Sequence, residues 1–224
     1  MKTERPAERS AGLFLLCRVD LKHAQGKFSA KPEGKDMIGL AAALTLVFGS
    51  AEAESVGTCA WSRLPQSDQQ VVLTAYGSGM RPAMNALFER DAALQAAARE
   101  CAGRDDLPQL WMQGAIASHV IQLGAAEAVR TATGLERDRL DQAWETAPQQ
   151  ARDCALNNAS RAFRVEGPAC PDRGASQAFL TNLELSPSAP TSRAASEQAL
   201  FYMNAKAQAQ IVNRLIQDAP PAER

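Results

Sequence analysis

Five cysteines and two histidines carry most of the reactive chemistry in this 224-residue chain. Cys59, Cys101, Cys154 and Cys170 lie beyond residue 54, and Cys17 stands apart near the start. An even set of thiols with no close Cys-x-x-Cys pair points to disulfides rather than to zinc, whose thiolate ligands usually come in short-spaced pairs. Spacing does not fix the connectivity; the expected pairing is Cys59 with Cys101 and Cys154 with Cys170.

His119 is the single histidine beyond residue 54. Imidazole is the commonest general base, so His119 is the one catalytic candidate, and a weak one without a partner motif. Its neighbours on a helix, Ile116, Gln122 and Leu123, predict a partly buried, hydrogen-bonded ring instead. No HExxH, CxxCH or EF-hand pattern is present, so no metal or cofactor is expected. Gly77-Ser78-Gly79 lacks the full G-x-S-x-G elbow and reads as a turn. The carboxylate pairs Asp105-Asp106 and Glu136/Asp138 could serve a glycosidase, but they stand where helices should start and where the macrodipole favours negative charge. Arg152, Arg161 and Arg164, with Phe163 among them, form a weak anion-site candidate near the end of a helix.

The compartment follows from 37–53, MIGLAAALTLVFGSAEA. Ile38 to Phe48 is free of charge, Lys27, Lys31 and Lys35 flank it, and Ala51-Glu52-Ala53 fits a signal peptidase site cutting between Ala53 and Glu54. The run is short for a membrane span, so none is expected after cleavage. Residues 1–36 read as a disordered or wrongly assigned extension, and 54–224 as one helical domain, periplasmic or secreted. Val56-Gly57-Thr58-Cys59 outlines the box that precedes a lipidated cysteine, but Thr58 fits it poorly and the apolar run ends too early.

With 46% hydrophobic residues the chain can build a core, and with 5% aromatics that core must rest on Ala, Leu and anchors such as Trp61, Trp111, Trp144 and Phe88. A net charge of -1 gives no general attraction to nucleic acid or anionic membrane. The partner expected is a protein or small ligand, with Met80, Met84 and Phe88 as either an adaptable surface or core.

Positioning these residues requires helices. Ser67 and Gln70 have capping-box spacing ahead of a helix from Asp68 that ends at Gly77-Ser78-Gly79. Met84, Leu87, Phe88, Leu94, Ala98 and Cys101 share one face of a single helix from Met80, stopped by Gly103. Leu107 to Thr131 is apolar on two sides and should be central. A further helix from Leu135 to Asn158 should kink or divide at Pro148. An irregular 165–192 segment holds a short helix near Gln177 to Leu183, and a last helix follows Thr191 or Ser192 and ends before Pro220-Pro221. No strand pattern is present, so the fold expected is all-α, a single up-and-down bundle of four to five helices with an irregular Pro/Gly-rich loop.

Overall fold

The computed structural model describes residues 55–165, 170 and 174–220, and these residues are all-α. The expected extension 1–36, the signal segment 37–53 and the cut at Ala53 and Glu54 lie outside the described residues. Nine helices form within them: α1 (Val56–Ser62), α2 (Gln66–Gly77), α3 (Met80–Phe88), α4 (Asp91–Ala102), α5 (Gln109–Thr133), α6 (Arg137–Glu145), α7 (Gln149–Ala162), α8 (Gly174–Asn182) and α9 (Arg193–Asp218).

The element count exceeds the four or five of the anticipated bundle for identifiable reasons. The helix expected from Met80 to Cys101 breaks at Arg90, which takes φ -106° and ψ 12°. No glycine or proline causes this. Arg90 Nη1 donates to the carbonyl of Ala86 at the end of α3, and Nε donates to Asp68 Oδ1 on α2 at 2.8 Å. The first gives a partner to a carbonyl that the break leaves open, and the second anchors the Arg90 side chain to α2. The helix expected from Leu135 divides at Pro148, since proline disfavours helical backbone in the residue before it. α1 has no counterpart among the expected elements.

Proline also moves two predicted starts. Pro65, Pro108 and Pro148 occupy the N-cap positions of α2, α5 and α7 with extended backbone. Each carbonyl accepts the first-turn N–H groups, as Pro65 O does from Asp68 and Gln69. Ser67 therefore sits inside the first turn of α2, and Gln70 bonds Thr74 rather than closing a capping box. Asp106 likewise stands before α5, where it ion-pairs with Arg104 at 2.5 Å. Ser192 is the N-cap residue of α9, but its hydroxyl donates to Ser186 O instead of capping.

α5 is the centre of the molecule, as its two apolar sides predict: Met112, Ile116, Val120, Ile121, Ala125 and Val129 are all buried. α9 packs along it in the opposite chain direction, with Arg104 just before α5 bonded to Ala219 O and Gln122 mid-helix bonded to Ala205 O. Close approach depends on small residues. A Cβ on Gly114 would overlap the Phe163 ring, and one on Gly124 would overlap the ring of Tyr76. One apolar core takes side chains from all nine described helices. Trp61 and Trp144 are buried in it, while Trp111 and Phe88 pack half-buried against it.

Both expected cysteine pairs stand at disulfide distance: Cys59 of α1 faces Cys101 of α4 with Cα atoms 6.0 Å apart, and Cys154 of α7 faces Cys170 with Cα atoms 5.4 Å apart. These separations are ordinary for disulfides. Among the described residues no helix is long and apolar enough to cross a membrane.

Candidate functional site: the α1–α5 seam around His119

α1 begins where Ser55 Oγ accepts the backbone N–H of Thr58 at 3.2 Å. That bond supplies a partner for an N–H that a helix start would otherwise leave open. Ser55 Oγ and Thr58 Oγ1 also share a hydrogen bond at 2.8 Å, and Thr58 Oγ1 lies 3.1 Å from His119 Nδ1 on α5. At the other end of α1, the Gln69 side chain donates to the carbonyls of Trp61 and Leu64. Gly57 meets α5 so closely that a Cβ there would overlap the Ala115 carbonyl. The Trp61 ring tilts toward His119 with centroids 6.4 Å apart.

His119 is 8% exposed. Burial, and to a smaller extent the Arg137 cation, push its pKa down to about 4. The imidazole is therefore neutral at pH 7. A hydroxyl hydrogen-bonded to an imidazole is the beginning of a nucleophile–base pair. α1 brings no carboxylate to orient the ring, because its sequence VGTCAWS holds no charged residue. A base with so low a pKa also has little driving force to take a proton near neutrality. What the arrangement does accomplish is to join α1 to α5 through a partly buried polar contact that gives the His119 Nδ1 a partner.

The other candidates are dispersed. Arg152 Nη1 faces Glu145 at 3.4 Å and Nη2 donates to Gln149. Arg161 lies in the last turn of the same helix, and Arg164 follows it with φ 60°. Positions 152 and 161 are two and a half turns apart, about 13 Å along α7 and on opposite sides, so the three arginines do not converge. Asp105 is exposed, while Glu136 and Asp138 sit at the start of α6. Ser78 ends α2 in a turn closed by Gly79 at φ 123°. Met84 is buried, and Met80 and Phe88 pack against the core, so the adaptable surface considered there is core.

Two polar constellations escape sequence reasoning. Asp141 Oδ1 accepts from Tyr202 at 2.8 Å and from Lys206 at 2.6 Å, and Arg137 Nε lies 3.4 Å from the Tyr202 hydroxyl. The signal available was paired i, i+4 spacing, Arg137/Asp141 on α6 and Tyr202/Lys206 on α9. Nearby, Arg139, Gln142, Ala143, Thr146 and Asn182 line an open cleft of about 150 Å³. That is below the size of most small-molecule sites. Among the described residues no group of three or more His, Cys, Asp or Glu gathers as a metal site. Comparison with protein families, curated proteins and solved structures yields no match.

Proposed function

We propose that this chain is an exported, disulfide-stabilised helical protein of a bacterial-type cell envelope that works by binding a protein or small ligand rather than by catalysis. The observation that carries this reading is the placement of Cys59 with Cys101 and Cys154 with Cys170 at disulfide distance, downstream of the apolar run Ile38 to Phe48. Disulfides persist in oxidising compartments, and the run followed by Ala51-Glu52-Ala53 is how a chain reaches one. The low pKa of His119 and the dispersal of the arginines and carboxylates favour binding over chemistry. A lipid anchor at Cys59 would consume the sulfur that faces Cys101, so pairing and acylation exclude one another.

Intact-mass analysis of protein from the envelope fraction, without reduction, tests this. The expected species starts at Glu54 and lacks the hydrogens of four thiols. A full-length cytosolic chain with every thiol titratable would refute export, and a diacylglyceryl adduct at Cys59 would establish the anchored alternative. The Thr58–His119 contact is the one observation that favours a periplasmic hydrolase. A fluorophosphonate probe labelling Thr58 would support that second reading; no labelling is expected.

A further inference from the structure

Two stretches of sequence recur 83 positions apart: Ala60-Trp61 with Ala143-Trp144, and Pro65-Gln66 with Pro148-Gln149. The helices keep the same spacing. α1 ends at Ser62 and α6 at Glu145, α2 begins at Gln66 and α7 at Gln149, and α4 begins at Asp91 and α8 at Gly174. The two long helices follow it to within a residue or two, α5 over Gln109–Thr133 and α9 over Arg193–Asp218. α1 and α6 also bury matching faces, Gly57, Ala60 and Trp61 in one against Leu140, Ala143 and Trp144 in the other. The counterpart of α3 falls at 163–171, only part of which lies within the described residues. Two shared dipeptides mean little in a chain rich in Ala and Gln, but helical periodicity alone does not align helix boundaries across four pairs of elements.

Tertiary contacts repeat with the helices. Thr58 meets His119 between α1 and α5, Asp141 meets Tyr202 between α6 and α9, and each pair is 61 residues apart, so both partners have moved on by the same 83 positions. The contact is kept while its chemistry has changed. Between the halves, Gln122 Nε2 donates to Ala205 O, and these two residues are themselves 83 apart. Where α5 and α9 run antiparallel, contact between equivalent residues marks a two-fold axis passing between them. The halves also reach across reciprocally: Tyr76, near the end of α2, donates to Gln198 on α9, and Phe163, just beyond α7, packs on Gly114 of α5. Gln198 and Gly114 lie in the same part of their respective long helices.

We infer that the chain is a fused pseudo-dimer: 55–134 and 138–217 are two copies of one helical unit, docked across a two-fold axis through α5 and α9, and the partner each unit's long helix fits is a second copy of that unit. This accounts for the apolar character of α5 on two sides, since one side covers its own unit and the other the opposite one. The units differ most plainly at one seam. In the first, α1 and α4 carry the facing Cys59 and Cys101 and the Arg63–Glu100 ion pair. In the second, Gln142 and Thr146 take the places of Cys59 and Arg63, and Asn182 on α8 donates to Thr146 Oγ1 and Ala143 O. The open polar cleft lies at this second seam and has no equivalent cysteine pair to close it.

A two-fold axis requires crossed distances between the units to match, and pulsed electron resonance on the full chain measures them. Spin labels carried on an unnatural keto amino acid, which leaves the cysteines alone, are placed in pairs at six exposed positions: Ser62, Gln70, Thr131, Glu145, Asp153 and Arg214. Gln70 to Arg214 should equal Asp153 to Thr131, and Ser62 to Arg214 should equal Glu145 to Thr131. Agreement within about 5 Å, one helical turn, is the expected result in both comparisons. A larger difference in either would overturn the proposal, because no two-fold operation could then relate the halves.

Discussion

Thr58 and His119 meet across the α1–α5 seam, with the hydroxyl oxygen 3.1 Å from the ring Nδ1 although the residues are 61 positions apart. The hydroxyl lets a nearly enclosed imidazole remain satisfied without charge. α1 thereby gains a specific attachment to the central helix, and the fold acquires a dependence on pH.

The direction of that dependence follows from linkage. Burial lowers the folded pKa of His119 to about 4, against about 6.5 in an unfolded chain, so the unfolded state binds the proton more tightly. The stabilisation is fully present above pH 6.5 and is lost as pH falls toward 4. Between pH 7.5 and 4.5 the loss should be about 2.5 kcal/mol, at the linkage constant of about 1.36 kcal/mol per pH unit. Urea denaturation of the parent and His119→Gln at both values measures it: the variant should lack this share of the drop, and equal drops would remove His119 as its source.

Gly114 is required by the ring of Phe163. Gly114→Ala places a methyl group into that ring, which is 3% exposed and has little room to withdraw. The expected cost is about 1–3 kcal/mol of unfolding free energy despite alanine's better helix propensity. Combining Gly114→Ala with Phe163→Leu should cost less than the two changes added separately, because the smaller side chain vacates the contested space. Strict additivity in thermal or urea unfolding would show that the two positions do not compete.

The two disulfides should differ in their contribution to stability. They span separations of 42 and 16 residues, for which loop entropy gives about 4 kcal/mol for Cys59–Cys101 and about 3 kcal/mol for Cys154–Cys170. Double alanine variants compared by urea denaturation under non-reducing conditions check the order. A larger loss at Cys154–Cys170 would mean that local packing, not chain entropy, dominates.

Asp141 joins α6 to α9 by accepting from Tyr202 and Lys206. Asp141→Ala leaves a buried hydroxyl and a mostly covered ammonium without their acceptor and should cost about 2–3 kcal/mol, against about 1 kcal/mol for Tyr202→Phe. Burial raises the Tyr202 pKa above the ordinary phenol value; the Arg137 hydrogen bond opposes the rise, and Asp141 adds to it. The folded chain should therefore keep Tyr202 protonated at a pH where a free phenol has ionised. Absorbance titration, with Tyr202→Phe to assign its step, tests this; ionisation of Tyr202 at the ordinary value would contradict it.

The sequence by itself determined the all-α class, the central place of α5, the stops at Gly103 and Gly134 and a partly buried His119. Each depends on spacing within one segment: apolar residues on two sides of 107–131 demand cover all round, and glycine readily takes the left-handed backbone that ends α4 and α5. Tertiary structure decided the break at Arg90, the docking of α1 and the partners of His119 and Asp141. The apolar pattern runs through residue 90 without interruption, and the partner that helps hold the break, Asp68, is 22 positions away on another helix. In the sequence Trp61 reads as a core anchor and Thr58 as part of a lipidation-like box, and neither points to His119 until α5 lies beside them. Periodicity reports which face of a helix must be covered, whereas burial and hydrogen-bond partners depend on which distant segment covers it, and that is settled only when the elements pack.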